Sequence, residues 1–434
     1  MKKSILFSAI IFFSFSAAQL FSLDLTSLED ELSDVFSSFT DDNEGLTTFR
    51  SLNIPAGGRA ESLGSACTAL ADDITFFDYN AAASSVLLES EAAAFHNSWI
   101  ADSAMETLAI TSRNGHFGYG AQLKCFYVPF TEYNLFGEKV AGSYYSETSL
   151  TLNQSYNFLA GYDFKGIAIG VNERLSFRNM PDYANDQTDE IISGSGLEQS
   201  ALAFMIDAGL LLRFNLGKFY SDREPNLKFG ISLNNIGAGI TGFGNSLTLD
   251  DALPTRVSVG FSYKPASPIL LSAEFRQPVN LQDFSSSGKW SACTGLEISI
   301  TKFFAFESGF LLQGGNPRIS LGSEFEVKKI QMNVNYTFDL TSSVNPVNHI
   351  SFSAKIKFGD KGRKKLQDEV DSYYTQGLFL YSEGKLEESI EYFNKALSID
   401  KRFDPAKKAL EAAQNFLDAR NALDEIQNYG AVYK

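Results

Sequence analysis

Two adjacent carboxylates, Asp72 and Asp73, are the residues whose type and spacing first suggest chemistry. A carboxylate pair can share a proton in acid–base catalysis, or hold a metal ion together with histidine. The side chains of neighbouring residues point in divergent directions, however, and no histidine lies near this pair in the sequence. We therefore predict that the protein is not an enzyme.

The histidines and cysteines form no metal-binding pattern. Zinc sites and disulfide frameworks need short, regular spacings, whereas these residues are dispersed: His96, His116 and His349; Cys67, Cys125 and Cys293. One cysteine pair could close in an oxidising compartment, but the sequence does not indicate which. We predict no cofactor and no metal site.

The net charge of -16 excludes a nucleic-acid partner, because binding to phosphates needs clustered lysine and arginine. The same acidity disfavours docking on anionic lipid.

The first residues have the three-part layout of a secretory signal peptide. Lys2 and Lys3 precede an apolar run, and small residues follow up to Ala18. The run is shorter than the roughly 20 residues that a membrane-spanning helix needs. We predict a cleaved signal peptide over residues 1–18, and hence export, rather than a membrane anchor.

Between residues 89 and 358 apolar and polar residues alternate in short segments. In one segment Val257, Val259 and Phe261 alternate with Ser258 and Gly260. Strands of a membrane barrel show this period because one face meets lipid and the other meets the lumen. The segments are 91–97, 106–112, 117–127, 147–160, 164–177, 200–214, 227–235, 255–263, 269–277, 292–299, 303–312, 317–325, 329–338 and 348–358. The pattern predicts an all-β transmembrane barrel of about fourteen antiparallel strands.

Long and short connections largely alternate between these segments. Long ones follow strands 3, 5, 7 and 9, at residues 128–146, 178–199, 236–254 and 278–291. Most others are a few residues, such as 161–163, although 215–226 is long and 313–316 is short against the pattern. Outer-membrane barrels have periplasmic turns on one rim and longer extracellular loops on the other, whereas a soluble β-sandwich predicts no alternation. An even strand number then places both barrel ends on the periplasmic side.

A segment of different character, residues 55–83, precedes the barrel. Small residues dominate it and its period is not that of a strand. We predict that residues 19–88 are an N-terminal segment that folds into a compact plug, or hatch.

This segment resembles the hatch of the FadL-like family of outer-membrane transport barrels. The resemblance rests on Gly58-Arg59-Ala60, Leu63-Gly64-Ser65-Ala66, Thr68-Ala69-Leu70-Ala71-Asp72-Asp73 and Tyr79-Asn80. The chain departs from the family at Ala81, where the family has proline, and at Ala83, where it often has glycine.

The resemblance implies a function. In that family the hatch occludes the lumen, and hydrophobic molecules bind at the outer face and pass inward or sideways. It implies passive, hatch-gated uptake of hydrophobic or amphipathic small molecules, such as long-chain fatty acids, by a protein embedded in outer-membrane lipid. It also implies that Arg59, Asp72, Asp73 and Asn80 hold the hatch against the wall. The alternative is that these polar residues only cap turns and face solvent.

The composition changes after the last strand. Residues 359–368 read as a charged linker, and residues 369–430 have a helical period. This tail resembles a tetratricopeptide repeat at Tyr373, Gly377, Leu380, Gly384, Leu386, Ser389, Phe393, Ala396 and Leu397. We predict a small all-α domain on the periplasmic side.

Such repeats usually bind proteins, so we assign Tyr373, Tyr381 and Phe393 to a periplasmic protein partner. A plain helical cap on the last strand is the alternative for the tail. The alternative for the whole protein is a structural or secretion and assembly barrel that recruits periplasmic partners through this tail.

Overall fold

The computed structural model describes residues 33–185, 187–220, 222–241, 251–341 and 348–432, with side chains up to residue 426. The predicted signal peptide, residues 1–18, lies outside the described residues.

Fourteen antiparallel strands form one closed barrel, in which each strand pairs with its neighbours in sequence and β1 closes on β14. Their bounds are β1 Ser90–Ser98, β2 Ala104–Asn114, β3 Phe117–Tyr133, β4 Lys139–Phe158, β5 Ile167–Asn179, β6 Ala201–Phe214, β7 Leu227–Thr241, β8 Arg256–Ala266, β9 Ile269–Pro278, β10 Ser291–Thr301, β11 Phe304–Gln313, β12 Asn316–Val327, β13 Ile330–Asp339 and β14 His349–Gly359. The predicted barrel and its strand number are confirmed.

The two faces of the wall differ as lipid and lumen require. On β5, Ile169, Val171 and Leu175 point outward and are exposed, whereas Asn172 and Arg174 point inward and are buried. Outward apolar side chains suit a hydrocarbon surround, and inward polar ones need partners inside the lumen. The alternation therefore predicted the correct faces.

The two rims also differ. Connections that follow odd-numbered strands form what we call the loop rim. It carries two long connections, 180–200 and 279–290. The first of them holds the short helix α2 (Ser195–Gln199), which follows α1 (Arg59–Ser62) in chain order. Connections that follow even-numbered strands form the turn rim, which carries two-residue turns such as 115–116 and 302–303. Both ends of the barrel lie at the turn rim, as an even strand number requires. The exceptions noted at 215–226 and 313–316 persist.

Two predicted connections were wrong. The predicted loop 128–146 is mostly strand, because β3 and β4 stay paired to a turn at residues 134–138. The alternation of β3 and β4 continues past the point where the neighbouring strand β5 ends, because β5 pairs with β4 only from Ser146 onward. This hairpin therefore projects past the wall. The predicted short turn 161–163 is instead the connection 159–166, which contacts the helical tail.

Residues 50–88 fill the lumen and are called the plug. It consists of short helical turns: Arg50–Asn53, α1 (Arg59–Ser62), Ile74–Asp78 and Ala81–Ser85. Phe76, Phe77 and Leu87 pack with Ala168 and Leu211 of the wall. Residues before the plug lie at the loop rim, where Phe39 meets Trp290 edge to face. The N-terminal segment therefore runs from the loop rim to the turn rim.

Three helices form the tail: α3 Arg363–Ser382, α4 Leu386–Ile399 and α5 Asp404–Val432. Gly377 of α3 lies against the Phe393 ring, since a Cβ there would come within 2.6 Å of it. Small residues at such crossings let helices pack closely. Among the residues described, no helix combines the length and apolarity needed to cross a membrane.

The tail begins within the predicted linker. Helix α3 starts at Arg363, six residues before the predicted domain boundary. The Asp360 carboxylate accepts hydrogen bonds from the backbone N–H groups of Lys364, at 2.7 Å, and Gly362. These bonds lower the pKa of Asp360 below its ordinary value and stabilise the first turn.

Candidate functional site

The sharp turn before α1 directs Arg59 towards carboxylates. Gly57 and Gly58 have φ of 109° and 68°, which a residue with a side chain rarely adopts. The Arg59 Nε lies 2.7 Å from Glu297 Oε2 of β10, and its Nη1 lies 2.9 Å from Asp72 Oδ1. One guanidinium therefore joins two parts of the plug to the wall.

The two adjacent aspartates contact cations on opposite sides of the barrel. Asp73 accepts a hydrogen bond from the Thr75 N–H at 2.8 Å and another from the Lys355 ammonium on β14. Asp72 Oδ2 lies 3.7 Å from Lys228 Nζ on β7. Strands β7 and β14 face each other across the closed barrel. The divergence of adjacent side chains, which argued against catalysis, lets the pair span the lumen.

Carboxylates outnumber cations in this cluster. Arg59, Lys228 and Lys355 form ion pairs with five acidic residues, and Glu91 lies near Lys355 as a sixth; the five are Asp72, Asp73, Glu297, Glu307 and Glu324. Within the described part of the chain, one oxygen each of Glu91, Glu307 and Glu324 is buried and accepts no hydrogen bond. Burying incompletely paired charge is unfavourable. In this contact between plug and wall, which we call the lock, carboxyl groups therefore outnumber cations.

No group of three or more histidine, cysteine or acidic residues among those described could hold a metal ion. The ion pairs of the cluster join the plug to the wall, as in Arg59 with Glu297 and Asp73 with Lys355.

Asn80 contacts the plug and the wall through one amide. Its Nδ2 donates to the carbonyl oxygens of Thr68, at 2.7 Å, and Leu210 of β6, at 3.0 Å. Its Oδ1 accepts the N–H of Ala82 at 3.1 Å. Arg59, Asp72, Asp73 and Asn80 therefore all lie at the interface between plug and wall, although Asn80 also caps a turn.

A second set of wall residues also reaches the plug. Lys124 of β3 lies 3.2 Å from Asp78 and donates to the Ile54 carbonyl at 2.7 Å. Arg174 of β5 donates to Asp207 at 3.0 Å and to the Phe77 carbonyl at 3.3 Å. Sequence reasoning missed these cations, because inward Lys and Arg also line water-filled barrels and so do not indicate a plug.

Glycines line the wall where the plug backbone approaches it, and we call them the wall glycines. A Cβ at Gly170 would overlap the Ala81 carbonyl, and one at Gly309 would overlap the backbone of Leu63 and Gly64. The set comprises Gly118, Gly170, Gly209, Gly230, Gly260, Gly295 and Gly309. Glycine permits such close approach of two backbones. The plug therefore lies directly on the wall, with little space between them.

A cavity of about 630 Å³ lies between the plug and the loop rim. Its lining combines aromatic and basic side chains with four acidic ones: Phe49, Trp99, Phe126, Tyr145, Arg178, Arg276, Arg318 and His349, with Glu44, Glu61, Glu147 and Asp251. Arg178 lies over the Phe49 ring and Arg318 over the Trp99 ring, at 6.0 and 5.9 Å. The Nε groups of Arg178 and Arg318 are buried and donate to no acceptor among the described residues. The cavity thus presents donors beside apolar surface.

The predicted partner residues of the tail differ in accessibility. Phe393 is 0% exposed and packs among the helices, so we no longer propose a partner contact for it. Tyr373 is partly buried beside Tyr392, with ring centroids 6.2 Å apart. Tyr381 lies beside Phe416 of α5, with ring centroids 6.5 Å apart.

The tail contacts the turn rim at three places, one of which is an ion pair between Arg223 of the connection 215–226 and Asp371 of α3. The Arg363 guanidinium donates to the carbonyls of Leu87, at 3.2 Å, Leu88, and Arg113, at 3.3 Å. At the connection 159–166, the rings of Tyr162 and Phe403 meet edge to face. Leu87 and Leu88 end the plug, so the tail touches the plug as well as the barrel.

Comparisons with known proteins identify two regions. Residues 29–361 match an uncharacterised protein family, UPF0164, and residues 370–403 match the tetratricopeptide repeat, which confirms that prediction for the tail. A UPF0164 protein of Treponema pallidum (strain Nichols) is 29% identical over 372 residues, which cover 83% of this chain and 82% of that protein.

Solved structures with a similar fold include the toluene transporter TbuX of Ralstonia pickettii. Its TM-score is 0.43 and its sequence identity is 12%, and the match covers 70% of this chain and 98% of that one. A FadL homologue of Pseudomonas aeruginosa has a TM-score of 0.41, 10% identity and the same coverage. The fold that the FadL-like resemblance implied is confirmed by the strand topology and the filled lumen.

Proposed function

The chain belongs to the uncharacterised protein family UPF0164, and from that premise we propose that it is a plug-gated outer-membrane channel for hydrophobic or amphipathic small molecules. One observation carries the proposal: a plug fastened by buried ion pairs fills the lumen below a cavity of about 630 Å³. Such a cavity can hold a small ligand, and the plug must shift before the ligand passes. Transport of this kind is passive and makes or breaks no covalent bond.

The lining of the cavity supports an amphipathic anion, such as a long-chain fatty acid, as the substrate. The side chains of Arg178 and Arg318 line the cavity, and a carboxylate can accept hydrogen bonds from a guanidinium group. Trp99 and Phe126 offer apolar surface for a hydrocarbon chain. The substrate would therefore bind with its charge at an arginine and its chain along the aromatic residues.

We assign the loop rim to the cell exterior and the turn rim to the periplasm. Bacterial barrels of this kind have short turns on the periplasmic side and longer loops outside. The cavity lies towards the loop rim, which suits capture from outside. In this orientation the helical tail and the end of the plug meet the periplasm.

A flux assay tests the proposal. We would reconstitute the protein in liposomes and compare uptake of a fluorescent fatty acid with that of its neutral alcohol and of a sugar. The double variant Arg178→Gln/Arg318→Gln should lower uptake of the acid about tenfold, since charge-assisted hydrogen bonds are lost. Uptake of the alcohol should change little.

The outcome that counts against the proposal is equally defined. If liposomes with the wild-type protein take up the acid and the alcohol no faster than empty liposomes, the channel function is wrong. If both arginine changes leave uptake of the acid intact, the function stands and the amphipathic anion as substrate is wrong.

A further inference from the structure

The C-terminal half of α5 carries an exposed apolar stripe. Phe416, Leu423 and Ile426 are 58%, 58% and 66% exposed, and Ala419 is exposed between them. The spacing of three, four and seven residues places these side chains on one face of the helix. We call this face the α5 stripe.

Helix α4 is too short to cover the α5 stripe. It has 14 residues, whereas α5 has 29. Ala406 and Ala413, in the first half of α5, are fully buried against the other helices. In the described part of the chain no helix covers the second half. The order α3, α4, α5 is that of one tetratricopeptide repeat followed by the first helix of a next one. The stripe is thus a place where a further helix would pack in a repeat array.

The surroundings of the stripe are acidic. Residues 383–391 and 411–426, which form the end of the tail away from the barrel, contain eight acidic and two basic residues. On α5 itself Glu411, Asp418, Asp424 and Glu425 are exposed. The basic residues gather at the opposite end of the tail, where Arg363 and Arg402 contact the turn rim. A ligand for the distal surface therefore needs apolar residues with positive charge around them.

We propose that the α5 stripe binds a basic amphipathic helix of a partner protein, which packs where the second helix of a next repeat would lie. Charge complementarity selects this occupant: a second copy of the chain would bring more acidic residues, and an anionic lipid surface would be repelled. Tyr381 extends the surface, because its ring adjoins Phe416. This function goes beyond transport and does not depend on it.

Peptide binding to the full-length protein in zwitterionic nanodiscs tests the proposal. The probe is a labelled helix with leucines on one face and lysines elsewhere, read by fluorescence anisotropy against empty nanodiscs. The variant Phe416→Ser/Leu423→Ser should weaken binding about tenfold or more, because two apolar side chains of the contact are lost. Both residues are exposed, so the change leaves the core of the tail intact.

A matched control uses another exposed phenylalanine. Phe379 is 55% exposed but lies two residues from Tyr381, and so about 200° away around α3. Phe379→Ser should alter binding less than about twofold, since it lies outside the contact.

Three outcomes would overturn the proposal. The first is equal binding of a peptide in which glutamate replaces every lysine. The second is unchanged binding by the double stripe variant. The third is no peptide binding at all. If the wild-type protein then forms a dimer that the double variant does not form, the stripe binds a second copy of the chain. If the wild-type protein instead binds anionic vesicles and the double variant does not, the stripe binds lipid.

Discussion

The plug and the helical tail both contact the barrel, but through interfaces of opposite composition. The plug is attached by buried ion pairs, such as Lys355 with Asp73, and by direct contact of its backbone with the wall glycines. The tail is attached by the half-buried Arg363 and by exposed pairs such as Lys408 with Asp163. The first interface lies within the lumen, and the second faces water.

The difference indicates how easily each part can leave the barrel. Removing the plug uncovers unpaired charges and exposes close backbone contacts, so partial loosening is unfavourable. Exposed ion pairs contribute little, because water and salt screen them. We infer that the tail can detach or be displaced by a partner, whereas the plug shifts only when its lock opens.

The largest expected effect comes from breaking the lock on one side. Lys355→Met leaves Asp73 and Glu324 without their common cation and should destabilise the seated plug by about 3–5 kcal/mol. We expect a leak of ions through the variant in planar bilayers. The neighbouring Lys357, paired at 3.0 Å with the exposed Glu326, is the matched control, and Lys357→Met should change conductance little.

A second change separates loss of the lock from misfolding. Lys355→Met/Asp73→Asn removes both charges of the pair, and should recover part of the stability that the single variant lost. If Lys355→Met is as closed and as stable as Lys357→Met, the ion pairs do not hold the plug.

The next effect concerns the wall glycines. Gly309→Val would push its side chain into the backbone of Leu63 and Gly64, and should cost about 1–3 kcal/mol or more. The temperature at which the barrel unfolds, read from its shift in gel mobility, should fall. In Gly142→Val the nearest atoms belong to the flexible end of Lys139, so the barrel should unfold near the wild-type temperature. Equal effects of both changes would contradict close packing of plug on wall.

The barrel could be predicted from the sequence because one local rule, alternation, repeats in every strand. The same rule gave the wrong loop at 128–146, since alternation does not reveal where the membrane ends and a free hairpin begins. The plug was predicted from its small residues and its family resemblance. The contacts of the plug could not be predicted. A glycine within a strand, such as Gly309, usually indicates a bulge, and only the three-dimensional structure shows that the backbone of Leu63 and Gly64 packs against it.

The site was predictable only in part for a related reason. Asp72 and Asp73 belong to a motif that can be read locally, but their partners Lys228 and Lys355 come from distant strands. The cavity is assembled from still more strands. Phe393 shows the converse, since a position typical of tetratricopeptide repeats did not distinguish a core residue from a contact residue.

The smallest expected effect lies at the interface between the tail and the barrel. Arg363→Ala removes three donated hydrogen bonds from a half-buried position, which we expect to cost about 1 kcal/mol after screening. Hydrogen exchange at the first turn of α3 should then accelerate about fivefold. Lys408→Ala, which removes one exposed pair at 3.3 Å, should change exchange less than twofold.

The same experiment shows whether the tail is coupled to the plug. Arg363 binds the carbonyls of Leu87 and Leu88, which end the plug, so its loss should also speed exchange of the amides at that end. Within the described part of the chain, Lys408 forms its ion pair with Asp163 on the 159–166 connection and not with the plug, so its loss should leave the plug protected. Faster exchange in α3 without any change at the end of the plug would mean that the tail moves independently of the plug.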